Sequence, residues 1–332
     1  MSLKVTRRRA IVVVAAAVGL PLLLQAGTAR PRMIKWQGTT LGAPSSIQLY
    51  HDNEAQANAA IAAALAESTR LEAIFSVYRA DSAISALNRD GFLEPAPADF
   101  IELLSHALNL AEISDGVYDP TIQPLWQLYF RHFTATAPDP AGPSQLDMAR
   151  ALAAVGWHGV EIDKSRARVA FGRPGMGLTL NSGAQGYITD HVTAVLASHG
   201  FVHMLVDMGE PRALAAKPDG SPWRIGIANP ADPSRSVAEL DVIGKCVSTS
   251  GGYGTVFDTA SAFTHIFNPH TGQTAPLLLG VSVVAATATR ADGLSTAMLL
   301  APPERRQAIL RAAGGEKALY VTPEGVIATV EA

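Results

Sequence analysis

The sequence predicts an α+β fold organised as one domain over residues 33–332. Three observations lead there. Strand-like and helix-like stretches intermix without strict βαβ alternation, which argues against a doubly wound parallel sheet. The 332 residues are 48% hydrophobic, ample for a single large core. No internal repeat, coiled coil or low-complexity tail interrupts the pattern.

In chain order, Ser45–Tyr50 reads as a strand. Asp52 is placed to cap a helix running to Phe75, with Ile61, Leu65, Ser68, Leu71 and Phe75 down one face. Arg79–Asn88 is rich in turn formers, and Asp99 is expected to cap a helix over Phe100–Ile113. A turn at Gly116–Thr121 precedes a segment from Ile122 to Phe130, and Thr134–Ser144 reads as an exposed loop. Strand pairs are expected within Trp157–Phe171. Leu178–Leu180 then looks extended, Asn181–Gly186 forms a small-residue bend, and an amphipathic helix with Ile188, Val192, Val195 and Leu196 runs to Gly200. Strands follow at Phe201–Asp207 and Trp223–Ala228, and near Cys246–Ser250, Thr264–Phe267 and Gly280–Ala286. Helices at Ala291–Leu300 and Pro303–Ala313 lead to a hairpin, Ala318–Thr322 with Val326–Val330, turning on Pro-Glu-Gly.

The first thirty residues have the architecture of an export signal: Thr6-Arg7-Arg8-Arg9, an apolar run from Ala10 to Leu24, then small residues to Ala29. The run is shorter than the roughly twenty residues of a bilayer span, although a membrane anchor is its other reading. The paired arginines resemble a twin-arginine signal. No cysteine follows the run, which excludes a lipid-anchored exit, so a periplasmic protein without stable membrane insertion after cleavage is expected. The chain has 26 basic and 29 acidic residues, a formal net charge of −3. No basic stripe is interleaved with aromatics, which argues against nucleic acid as a partner. The single cysteine, Cys246, excludes an internal disulfide framework and a thiolate-rich metal site, and reads as a buried, inert thiol.

Three stretches could carry chemistry. The bend at Asn181–Gly186 lets backbone approach a bulky group, and the following helix start offers amides to anionic oxygens; a plain strand-to-helix turn would look the same. Asp292 and Thr296 are four residues apart and share a face if helical. A carboxylate and a hydroxyl, oxygen only, suit Mg²⁺ rather than zinc, while an ordinary helix start also uses these residue types. His265 opens Thr264–Phe267 ahead of Asn268-Pro269, either at a cleft mouth or packed as a core histidine. There is no HExxH, Walker loop, GxSxG or GxGxxG.

Taken together and in order, nine blocks resemble the ApbE family of periplasmic FAD:protein FMN transferases. They are Thr40–Ala43, Phe75–Tyr78 with Asp81–Asn88, Gly116–Thr121, Ala184–Asp190, Leu205–Glu210, Trp223–Pro230, Ser248–Tyr253, His265–Gly272 and Val281–Ala297. The resemblance spans 34–330 and implies a single T-fold-like domain of mixed sheets and packed helices. The wording Leu-Asn-x-x-Ala-Gln-Gly-Tyr, the twin-arginine start and the absent lipid-site cysteine are most similar to the NosX branch, which serves nitrous oxide reductase maturation.

The resemblance implies site roles. Leu41, Tyr78, Asp119, Pro120 and Thr121 would line an FAD pocket, together with Thr179 and Gln185. Asp292, Thr296 and the backbone carbonyl of Ser182 would hold Mg²⁺ against the pyrophosphate, and His265 would stand near the reacting phosphorus as the candidate general base. FAD would be the substrate and FMN donor, AMP the leaving group. The acceptor would be a Thr or Ser hydroxyl on a membrane-anchored, NosR-like electron-transfer flavoprotein. The chain departs from the family at Thr179, where a carboxylate is common, at Gln185, where a lysine is common, and at Leu41, where methionine is usual. Those departures leave two alternatives open: a non-catalytic FAD-binding accessory protein, or an FAD pyrophosphatase using water.

Overall fold

A computed structural model describes residues 31–332 apart from 231, 261, 275–277 and 323. The expected export signal at 1–30 and Pro323 of the expected Pro-Glu-Gly turn lie outside the described residues. The chain begins with β1 (Arg32–Thr40), β2 (Ala43–His51), α1 (Glu54–Phe75), α2 (Ala83–Asp90), β3 (Phe92–Leu93) and α3 (Ala98–Ile113). It continues through α4 (Gln123–Phe133), α5 (Gln145–Ala153), β4 (Val160–Asp163), β5 (Arg168–Phe171), α6 (Asn181–Ser198), β6 (Met204–Asp207) and β7 (Pro211–Ala213). The remainder is β8 (Trp223–Asn229), β9 (Asp232–Val242), β10 (Lys245–Gly251), β11 (Gly280–Ala285), α7 (Ala288–Leu300), α8 (Pro303–Ala312), β12 (Gly315–Val321) and β13 (Ile327–Glu331).

The main sheet has eight strands in the order β1-β2-β6-β7-β10-β11-β12-β13, every pairing antiparallel. This is the α+β arrangement that the mixed pattern predicts. Period-two alternation assigns its two faces. Met204 and Val206 of β6, and Ala318 and Tyr320 of β12, turn toward α1, α3, α6 and α7 in the principal core. Leu205, Leu319 and Val321 turn the other way, onto Trp223, Ile225 and Ile227 of the β8–β9 ribbon. A three-stranded sheet, β3-β5-β4, stands apart.

Several expectations are corrected. The N-cap of α1 is Asn53, whose side chain accepts from Gln56 N at 3.0 Å, rather than Asp52. Pro97 precedes α3, placing Asp99 in its first turn. The turn-rich Arg79–Asn88 contains α2, capped by Ser82 and stopped by Gly91 in the left-handed region. Thr264–Phe267 is not a strand; only a single bridge, Val256 to Thr264, forms there. The Asn181–Gly186 bend belongs to α6, although Ser182 departs from helical geometry within it at φ −88°, ψ 24°.

Helices α6 and α7 cross closely because Gly186 has no side chain. A Cβ there would lie 2.7 Å from Thr289 N and nearer still to the Ala288 carbonyl. Asp190, one turn along α6, accepts from the amides of Ala288 and Thr289, each at 2.9 Å, and from the Thr289 hydroxyl at 2.7 Å. It thereby satisfies the orphan donors that begin α7, and it also pairs with Arg212 of β7. Gly186→Ala is expected to destabilise the protein by about 2–3 kcal/mol or to prevent folding. A thermal melt within a degree of the parent would show that the helices can part without penalty.

On the outer side of α1, Arg70 bonds Glu67 and Asp99, each at 2.7 Å at its shortest, and Tyr187 Oη donates to Asp99 at 3.2 Å. The Arg70 hydrogen bonds hold both carboxyls below their usual range. Folded-state values that are depressed add stability above the unfolded pKa, and it is lost as pH falls through the folded values. Arg70→Met is therefore expected to lower the melting temperature at pH 7, with the difference from the parent shrinking below about pH 4. A difference independent of pH would overturn this account of the cluster.

Candidate active site

A cleft opens where the first turn of α6, the end of β10, α7 and the segments around 118–126 and 254–269 meet. Tyr78, Asp119, Pro120, Thr179, Ser182, Gln185, His265 and Thr296 all line it. Three expected residues, Leu41, Thr121 and the buried Asp292, are not on the wall. Leu41 occupies the β1–β2 turn at φ 48°, donates its amide to Glu72 Oε1 at 2.7 Å and packs against the core. Thr121 is fully buried.

Asp119 and Thr121 form a knot rather than a ligand shelf. Asp119 Oδ1 accepts from the Thr121 amide at 2.7 Å and the Thr121 hydroxyl at 2.6 Å, and Oδ2 accepts from Trp157 N at 3.0 Å. Thr121 Oγ1 accepts from Gly156 N at 2.8 Å. Burial pushes the Asp119 carboxyl up, and the Thr121 and Trp157 donors work against that. The knot fixes Pro120, whose carbonyl accepts from Thr179 N at 2.8 Å, and so ties the 118–121 segment to the approach of α6.

Asp292 is 1% exposed on α7, and its Oδ2 accepts from Gly186 N at 3.1 Å. In a regular helix that amide would donate to the carbonyl of Ser182, four residues earlier; here Asp292 receives it. Ser182 is turned out of helical geometry at the same place. Its carbonyl lies beside α7, 3.6 Å from where a Cβ on Gly293 would stand. Ser182 Oγ donates to Tyr118 Oη at 3.0 Å. Burial raises the Tyr118 phenol, the Ser182 hydrogen bond works against that, and the negative charges of Asp292 and Asp119 add to the rise. The result is one carboxylate, one carbonyl and, one turn further along α7, the Thr296 hydroxyl at the cleft.

This donor set fits a hard divalent cation. All three atoms are oxygens, and one is anionic. Among the described residues, no group of three His, Cys, Asp or Glu side chains could hold a metal. A cation here would need further oxygens from a ligand, which is the ordinary situation for Mg²⁺ with phosphates.

His265 also lines the cleft. Its Nδ1 lies 3.1 Å from the Thr255 carbonyl. A carbonyl only accepts, so Nδ1 carries the proton and Nε2 is the basic nitrogen. Gly254 packs against the ring, where a Cβ would be 3.3 Å from Cε1. At the mouth, Tyr78 is 55% exposed and meets Trp126 edge-on, ring centroids 6.4 Å apart. Trp126 stacks on Phe130 at 4.9 Å. Sequence reasoning missed Trp126 and Tyr118; the four-residue spacing of Trp126 and Phe130 was the available signal. Gln185 is buried against Gly209, where a Cβ would come within 2.7 Å of its Nε2.

The sequence profile described as "ApbE family" matches residues 41–320. The chain belongs to the ApbE family. Among its ApbE relatives is the FAD:protein FMN transferase of Treponema pallidum (strain Nichols), 29% identical over 326 residues, covering 90% of this chain and 87% of that protein. The FAD:protein FMN transferase of Klebsiella pneumoniae (strain 342) is 27% identical over 289 residues, covering 83% and 81%. The fold is similar to that of the flavinyl transferase ApbE of Pseudomonas stutzeri, with a TM-score of 0.75 and 28% identity over 92% of this chain and 97% of that one. Within this ApbE chain, the buried knot gives a direct expectation. Thr121→Val should lose about 1–3 kcal/mol of stability in denaturant unfolding, because it strips one donor from Asp119 and one acceptor from the Gly156 amide. An unchanged midpoint would show that the knot is not holding the 118–121 segment.

Proposed function

We propose that this chain is an FAD:protein FMN transferase that uses Mg²⁺, acts in the periplasm after twin-arginine export, and modifies a Thr or Ser hydroxyl of a membrane-anchored electron-transfer flavoprotein. The relatives' shared activity supports the reaction class. The observation that supports the reading is that Ser182, Thr296 and His265 line one cleft, with the buried Asp292 one turn before Thr296 on α7 and bonded to the Gly186 amide.

The residues have separable roles. Tyr78 and Trp126 offer aromatic faces to the flavin or adenine. Ser182, Asp292 and Thr296 would hold the cation. When bound there, Mg²⁺ neutralises pyrophosphate charge and polarises the bond to be broken. The acceptor hydroxyl oxygen forms a new bond to the FMN-side phosphorus, the bridging P–O bond breaks, and AMP leaves with the bridging oxygen. His265 Nε2 takes the hydroxyl proton, its tautomer set by Thr255. Thr179 and Gln185 contribute neutral polar groups where the family commonly has charges, so binding of the dinucleotide relies more on the cation. The NosX-like wording around Gln185 and the paired arginines support nitrous oxide reductase maturation as the setting, with a NosR-like acceptor.

Incubation with FAD, Mg²⁺ and an acceptor domain is expected to increase the acceptor mass by one FMN and to release AMP. Asp292→Asn should abolish the metal-dependent reaction, and His265→Ala should slow it about 10²- to 10⁴-fold. AMP and free FMN without an adduct would replace transfer with hydrolysis. FAD binding with no product at all would leave only a carrier.

A further inference from the structure

The Thr296 hydroxyl is one end of a buried chain. Ser250 Oγ, on β10, lies 3.0 Å from Thr296 Oγ1 and 2.7 Å from Ser295 Oγ. Ser295 Oγ donates to the backbone carbonyl of Asp292 at 2.9 Å. Ser250 is 4% exposed and Ser295 is sealed from solvent.

Each hydroxyl has one proton to give. A carbonyl can only accept, so the Ser295 proton is committed to Asp292. Ser295 can then only accept from Ser250, and Ser250 can then only accept from Thr296. The terminal carbonyl thus fixes the direction of every bond. Ser248 Oγ, 3.4 Å from Ser295 Oγ, can only add a second donor and leaves that direction unchanged. The Thr296 proton is drawn inward to Ser250, and the lone pairs of Oγ1 are turned to the cleft that Thr296 lines.

We propose that the hydroxyl chain Thr296–Ser250–Ser295 makes Thr296 Oγ1 an acceptor-only ligand for a hard cation, with Ser250 and Ser295 as positioning residues of the cation site. The inference rests on the cation reading above. Without the chain, the Thr296 hydroxyl is free to rotate its proton into the cleft, toward a positive charge. Outer-shell hydrogen bonds that orient a ligand in this way typically govern about 10- to 100-fold in metal affinity.

The test uses Mn²⁺ as probe, titrated into the purified protein with and without FAD, with the EPR signal of free Mn²⁺ as readout. Ser250→Ala is expected to weaken Mn²⁺ binding about tenfold or more, and Ser250→Thr, which restores a hydroxyl, to recover it. Ser295→Ala, remote from the cleft, should weaken binding as well, whereas Ser248→Ala should not. Melting curves without metal check that each variant is folded, and the Ser250 pair decides the matter if the Ser295 variant is not. Parent-like Mn²⁺ binding in Ser250→Ala, alongside loss in Asp292→Asn, would overturn the hydroxyl chain and leave the cation site standing. Absence of Mn²⁺ binding in the parent under both conditions, or parent-like binding in Asp292→Asn, would overturn the cation site itself.

Discussion

The contact between Asp292 and the Gly186 amide is the constraint on which the site depends. It requires α6 and α7 to approach within the thickness of a glycine, which Gly186 permits. It then takes for a side chain an amide that helix geometry would assign to the Ser182 carbonyl. The local departure of Ser182 from helical geometry falls four residues before the amide that Asp292 receives. A carboxylate so deeply buried demands compensation, part of which the Gly186 amide supplies.

Around that contact the structure is braced from several directions. Asp190 closes the start of α7 and links it through Arg212 to β7. The Asp119–Thr121 knot holds the segment carrying Tyr118, whose phenol meets the Ser182 hydroxyl. Ser250 reaches Thr296 from the sheet. Helix, loop and strand each position one of the three oxygen donors, so none depends on a long, freely rotating side chain. Preorganisation of this kind is what phosphoryl chemistry asks of a protein.

The parts of the fold that were legible in the sequence are those buried on one side. The long α1, with Ile61, Ser68, Leu71 and Phe75 of the face read from the sequence buried, and the buried strands β10 and β11 are the legible elements. The edge strand β1, the polar β9 and the surface helix α5, which buries no residue, carry almost no such signal and were missed. The site divides in the same way. Asp292 with Thr296 is a spacing within one helix and can be read from the chain. The partner exchange at Gly186, the link from Ser250 to Thr296 and the Tyr118–Ser182 pair join residues 46 to 106 positions apart. Those links are set by how helices and sheet pack, which local pattern does not encode.

The margins of the main sheet bear on how a protein substrate can be met. At one edge β1 presents Arg32, Lys35 and Gln37, and at the other β13 is almost wholly solvated and ends in Glu331. A visiting strand would have to strip water from the exposed Arg32, Lys35 and Gln37 of β1 before gaining any ladder bonds there. Encounter by sheet extension is disfavoured at the β1 margin, whereas the β13 margin, with Ile327 exposed and Glu331 its one charge, offers a foreign strand less resistance.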